Sequence, residues 1–347
     1  MNAEHSLAST LDVAAPFLPP ALVSASALAR IRGLGERVQA PLAQVVGLEC
    51  RLGPQDQIDV AFGVRSPGRE LLAGRRSNSE IATLKQFDPV WRRIGALCER
   101  WIDSLQERVE EFWLEFDLEA ELDVTSTPSV FVAFAQESGC HDAIAVVETL
   151  APELLTPSVR RNLENCFEQL APTARIPYLG FMLPRKHPGV RVVIQMPESD
   201  MFSYLTSIGW PGDMDDLAGT MARLRTTDSP MAGLVNLDVA DDIGHPVGLE
   251  YTLDRSRQVR GGLLEREFLD RLVELGACLP HKRNALDGWP GYSLERFPDE
   301  EWLSVMMRLV HYVKVVIAPG RAPTAKVYLS LISQPTSATS LSEIVLK

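Results

Sequence analysis

The chain has 347 residues, 46% of them hydrophobic, with a formal net charge of −12, enough apolar material for a sizeable core in one long domain. The acidic balance excludes nucleic acid and anionic membranes as main partners, because both demand a basic face. Five scattered cysteines without a Cys-x-x-Cys pair indicate reduced thiols rather than a disulfide framework, and no apolar run reaches the roughly 18 residues of a membrane span. Met1 to Thr10 is too polar for a signal peptide, so the expected location is cytoplasmic.

Residues 1–44 read as a helical lead-in, broken at Pro19-Pro20 and resuming from Ala21 to Val38. Two alternating strands follow, 45–52 and 58–65, joined across Gly53-Pro54. From Glu80 to Glu110, Ile81, Leu84, Trp91, Ile94, Leu97 and Trp101 recur at three- and four-residue steps, which predicts one or two amphipathic helices. A second strand pair spans 111–118 and 128–134, and helical spacing returns at 141–170. The third pair, 178–184 and 190–196, turns at Lys186-His187-Pro188-Gly189. Helical spacing resumes at 198–225, where Asp213-Met214-Asp215-Asp216 reads as a capped helix start rather than an acidic metal motif. The fourth pair, 233–240 and 246–253, turns at Gly244-His245-Pro246. After more helical spacing at 263–310, the last pair, 311–318 and 325–332, turns at Pro319-Gly320. Residues 1–332 are expected to form one domain, with 333–347, rich in Ser and Thr, as a loose tail.

Strict alternation means that one face of each strand is buried while the other meets something polar. Parallel βαβ strands would instead be apolar on both faces. An open antiparallel sheet would leave edges to protect, whereas closure removes them. The predicted fold is therefore α+β: a ten-stranded antiparallel barrel of five ααββ units, helices outside and polar groups in the lumen. With the apolar positions facing the helices, the inward set is Gly47, Glu49 and Arg51; Asp59, Ala61, Gly63 and Arg65; Glu111, Trp113, Glu115 and Asp117; and Ser129, Phe131 and Ala133. It continues with Arg191, Val193 and Gln195; Asn236 and Asp238; Gly248, Glu250 and Thr252; then Tyr312, Lys314, Lys326, Tyr328 and Ser330. The strand 178–184 is too apolar to orient. Asp59, Arg65 and Glu111, near strand ends, read equally well as solvated charges. Glu49, Arg51, Glu115, Arg191 and Lys326 sit mid-strand between core residues, where a charge needs a partner or a ligand.

Five ααββ units closing into a ten-stranded barrel resemble the ABBA-type aromatic prenyltransferases. Gly47-Leu48-Glu49-Cys50-Arg51 is similar to that family's first strand, whose glutamate accepts a proton from the aromatic acceptor. Val313-Lys314-Val315-Val316 and Ala325-Lys326-Val327-Tyr328-Leu329 resemble its Lys-x-Tyr strands. The chain departs from the pattern at Ser129-x-Phe131, Arg191-x-Val193-x-Gln195 and Gly248-x-Glu250, and Asp59 stands where an arginine is expected.

The resemblance implies transfer, or cyclisation, of a prenyl group from an allylic diphosphate to an aromatic, amine or peptide acceptor. Glu49 and Glu115 would be catalytic. Arg51, Arg191, Lys314, Lys326 and Tyr328 would bind the diphosphate, while Trp113, Phe131, Gln195, Glu250 and Tyr312 would face the prenyl group and acceptor. Five inward cations against seven acids repel a diphosphate unless Mg²⁺, on Glu115 and Asp117 or on Asp238 and Glu250, bridges it, or unless the acids bind a cationic acceptor. A barrel that binds a cationic small molecule or peptide without chemistry is the competing reading. His141, His187, His245, His281 and His311 lack zinc spacing, Gly261-Gly262 is no phosphate loop, and Arg255, Arg257 and Arg260 read as a solvated cluster.

Overall fold

The computed structural model describes residues 5–118, 127–185, 189–227, 230, 232–261, 264–298 and 302–336. Its strands are β1 (Ala43–Arg51), β2 (Ile58–Val64), β3 (Val109–Leu118), β4 (Ser129–Phe134), β5 (Arg175–Phe181), β6 (Val190–Gln195), β7 (Ala232–Val239), β8 (Val247–Thr252), β9 (Gly291–Glu295), β10 (Ser304–Ile317) and β11 (Thr324–Pro335). Pairing runs β11-β1-β2-β3-β4-β5-β6-β7-β8-β10-β9, and β10 also pairs with β11. That last pairing closes a ten-stranded antiparallel barrel and leaves β9 as an appendage on the first half of β10.

Among the described residues twelve α-helices wrap the barrel. The first strand pair is preceded by α1 (Leu7–Ala14) and α2 (Ala25–Arg37), and the second by α3 (Ser66–Ala73), α4 (Ser79–Phe87) and α5 (Pro89–Asp103). The third follows α6 (Cys140–Leu150) and α7 (Pro157–Glu168), and the fourth α8 (Glu198–Ser207) and α9 (Met214–Leu224). The last follows α10 (Arg255–Val259), α11 (Arg266–Glu274) and α12 (Pro280–Leu286). Local chemistry sets these boundaries. The Asp88 side chain accepts from the Val90 N–H and Pro89 occupies the first turn, so the long helical pattern splits into α4 and α5 there. Asp213 likewise caps α9 through the amides of Asp215 and Asp216, as its sequence suggested.

The core lies between barrel and helices. Val46, Leu48, Val60, Phe62, Phe112, Leu114, Phe116, Val192, Leu249, Val313, Val327 and Leu329 all point outward into it. Trp101 of α5 meets Phe112 edge-on at 5.8 Å, and Phe268 of α11 meets Tyr251 at 4.9 Å. Each such ring contributes about 1.5–3 kcal/mol on leaving water. Among the described residues no helix is long and apolar enough to cross a membrane.

Two expectations fail near the C-terminus. The segment 263–310 is helical only through α12; β9 and the start of β10 occupy its second half. Residues 333–335, expected in the tail, continue β11, while 337–347 and the turn 186–188 lie outside the described residues. The register of β10 explains the first failure. It pairs with β9 up to Arg308, shifts register between Val310 and Tyr312, and pairs with β8 from Tyr312 onward. At the switch Gln258, wholly buried, stands in for a strand: its amide donates to the Val310 carbonyl at 2.9 Å and accepts from the Val310 N–H at 2.8 Å.

Candidate active site

The lumen face repeats along every strand, so register decides which side chains meet. Glu49 lies opposite Asp59 and Tyr328, Arg51 opposite Lys326, and Lys326 opposite Lys314. Asp59 pairs with Asp117, Glu115 with Ser129, Trp113 with Phe131, and Arg191 with Asp238. The sheet also orients β5, which the sequence left open: Tyr178 and Gly180 face the lumen beside Val193 and Arg191.

Charge concentrates toward the end where β1 finishes. Glu49 accepts from Arg51, from Tyr328 and, at 2.7 Å, from the Lys326 ammonium. Arg51 also donates to Asp59 at 2.9 Å, and the Leu118 amide donates to the same carboxylate at 3.3 Å. Asp59 is 0% exposed; the reading of it as a solvated strand-end charge is wrong. Its position as the second residue of β2 misled, because β1 and β3 extend past it on both sides. Burial, then the nearby Glu115 carboxylate, push its pKa up to about 6.

Deeper in, Lys314 donates to Asn236 at 2.6 Å and stands 3.4 Å from Glu250, while Asn236 donates to Glu250 at 2.9 Å. Burial lowers both Lys314 and Lys326 to about 7, in the second case with the Arg51 charge adding to it. Arg191 grips Asp238 with two bonds of 2.8 and 3.1 Å.

The other end is aromatic. Tyr312 and Tyr328 stack at 4.1 Å, and His311 meets Tyr312 edge-on at 5.1 Å. Glycines make room for the large groups. A Cβ on Gly63 would stand 3.1 Å from the Trp113 ring, one on Gly180 2.5 Å from Phe131, and one on Gly248 2.7 Å from the Lys314 stem. The lumen cations are held by lumen carboxylates, and an anionic ligand has to compete with those ion pairs.

Of the expected site residues, Glu49, Glu115, Arg51, Arg191, Lys314, Lys326, Tyr328, Tyr312, Trp113, Phe131 and Glu250 share this interior. Gln195 stands exposed at the aromatic mouth, bonded to Arg175 at 2.8 Å. Arg65 does not belong to the lumen: it is 56% exposed, lies beyond β2 and precedes α3, with Glu111 3.5 Å away. The structure adds three residues. Arg185, after β5, donates to Asp117 at 2.5 Å and lies 3.8 Å from Glu115. Arg255, read as solvated, is half-buried and donates to His311 at 2.5 Å. Burial and that guanidinium hold the imidazole near pKa 3, hence neutral. Neither arginine sits on a strand, and His311 sits at the register shift, so alternation gave no signal for any of them.

The lumen and its caps hold seven carboxylates (Glu49, Asp59, Glu111, Glu115, Asp117, Asp238, Glu250) and six cations (Arg51, Arg185, Arg191, Arg255, Lys314, Lys326). The carboxylate pairs expected to hold Mg²⁺ are committed elsewhere, Asp117 to Arg185 and Asp238 to Arg191. The carboxylates that do converge are Glu49, Asp59 and Glu115, whose oxygens lie within 4.8 Å of one another.

This architecture is shared with solved proteins. The chain is similar to AnaPT from Neosartorya fischeri over 95% of its own length and 92% of that chain, with 10% identity and a TM-score of 0.52. It is similar to PriB in complex with its product diphosphate over 94% of each chain, with 17% identity and a TM-score of 0.50. The fold is that of the ABBA-type aromatic prenyltransferases. No protein-family model matches the sequence, and no curated protein does. At such identities the likeness carries the fold alone, and chemistry has to come from the site.

Proposed function

We propose that the barrel transfers a prenyl group from an allylic diphosphate to an acceptor held in its lumen. The observation that carries this reading is the cross-strand block of Lys314 and Lys326 beside the stacked Tyr312 and Tyr328, inside a closed barrel of the prenyltransferase fold. The diphosphate of PriB supports the donor class by analogy. Lys314, Lys326, Arg51 and Arg191 take the diphosphate by charge-assisted hydrogen bonds as they leave Glu250, Glu49, Asp59 and Asp238. The allylic C–O bond breaks with its electron pair remaining on the diphosphate. The carbocation lies against the Tyr312 and Tyr328 faces, away from water. The acceptor supplies the electrons of the new bond, and the proton it releases passes to Glu49 once Lys326 and Arg51 have turned to the phosphates. Trp113 and Phe131, which lie over Gly63 and Gly180, would shape the acceptor side.

Calorimetric titration with dimethylallyl thiolodiphosphate, with and without Mg²⁺, tests the reading. Binding that weakens at least about tenfold in Lys326→Ala supports it. No binding under either condition overturns it and leaves a cation-binding barrel without transfer chemistry.

A further inference from the structure

We propose, on the reading that the barrel is a prenyltransferase, that its acceptor carries a basic nitrogen, an amine or guanidine, anchored as a cation by the wall of Glu49, Asp59 and Glu115. Three adjacent strands supply this wall, and all three residues are nearly inaccessible, at 4%, 0% and 7% exposure. Oxygens within 4.8 Å of one another can all reach one nitrogen at hydrogen-bond distance, about 2.8 Å from each.

A second observation points the same way. Ser129, directly opposite Glu115 on the lumen face and 0% exposed, has a hydroxyl without a hydrogen-bond partner among the described residues. A buried hydroxyl in a native site is ordinarily satisfied. Here the orphan borders the wall that a polar ligand would occupy.

Charge bookkeeping completes the case. Glu49, Asp59, Glu115 and Asp117 are opposed by Arg51, Arg185 and Lys326, four charges against three. When Lys326 and Arg51 turn to the diphosphate, only Arg185 remains and the shortfall becomes three. Burial first, and then the Glu115 carboxylate, raises the pKa of Asp59, so a positive charge brought to the wall is favoured there. The Lys326 ammonium, 2.7 Å from Glu49, is an internal stand-in for the group the wall receives. That precedent favours an organic cation over a metal ion. The remainder of such an acceptor meets the rings of Tyr328 and Trp113, the latter lying across Gly63 and Gly47. Because the diphosphate draws Lys326 away from the wall, donor and acceptor should bind with positive coupling.

The test is calorimetric titration of the full chain with phenethylamine and with its neutral isostere 2-phenylethanol, each with and without saturating inorganic diphosphate. The amine should bind at least about tenfold more tightly than the alcohol, and the preference should widen with diphosphate present. Asp59→Asn and Glu115→Gln should each erase most of it; Glu115→Gln, with fewer fixed bonds, keeps the test alive if Asp59→Asn does not fold. Equal binding of amine and alcohol overturns the inference. So does Mg²⁺ that binds alone and displaces the amine, which would make the wall a metal site. Diphosphate that binds while the amine shows no preference sinks this inference only. An amine preference without any diphosphate binding sinks the transferase reading instead.

Discussion

Lys314 and Lys326 face each other across β10 and β11, and each is held at about 7 by burial. Under the proposed function a diphosphate binds the charged amines, so binding would restore protons that the free protein has lost above that pH. The sign follows directly. Below about pH 7 both amines are already protonated and affinity is flat; between 7 and the ordinary lysine value near 10.5 it falls as pH rises, with net proton uptake. Titrations at pH 8 in buffers of different ionisation enthalpy should show heats that vary with the buffer, signalling uptake approaching two protons, about 0.9 from each amine. Heats independent of buffer would mean that the two amines stay charged in the free barrel. Glu49 and Lys326 were legible as site residues because a charge between core positions has only two explanations, a partner or a ligand. Lys326 is the partner, and under the proposed function it is also the group that a ligand recruits.

At the scale of elements, alternation made nine of the ten barrel strands readable within a few residues, since one face is core and the other lumen. It failed where neither face is uniform. In β9, Tyr292 and Leu294 are exposed while Gly291, Ser293 and Glu295 are half-buried. In β10 the register shift at Val310 to Tyr312 breaks the two-residue period, so 291–310 read as helical spacing. The same shift hid His311. Gln258 repairs it, and this yields a prediction. Gln258→Ala leaves both the N–H and the C=O of Val310 unpaired inside the protein, where each unsatisfied group costs about 1–3 kcal/mol. Urea denaturation should show a loss on the order of 3 kcal/mol, while Leu294→Lys on the exposed face of β9, 58% accessible, should change stability by about 0.5 kcal/mol or less. A Gln258→Ala protein as stable as the parent would mean that β8 closes onto Val310 without help.

The whole molecule carries −12, yet its lumen and caps come within one charge of balance, seven acids to six cations. The excess acid therefore lies outside the lumen. Inside, every strand-borne cation has a carboxylate partner. A ligand for these cations has to replace several carboxylates at once, which the proposed diphosphate would do. Replacement leaves the fold intact, because the outward core of leucine, valine and aromatic side chains does not take part. A ligand that binds only the closed barrel must then raise the melting temperature. At a hundredfold excess over its dissociation constant the added stability is about 2.7 kcal/mol. Spread over the unfolding entropy of 347 residues, that is a rise of about 4 °C. Inorganic diphosphate should give this shift, and sulfate at equal ionic strength should give little of it, since one tetrahedral anion cannot span Lys314, Lys326, Arg51 and Arg191 together. Equal shifts with both would show general anion stabilisation, and the cations would then be structural partners of their carboxylates and nothing more.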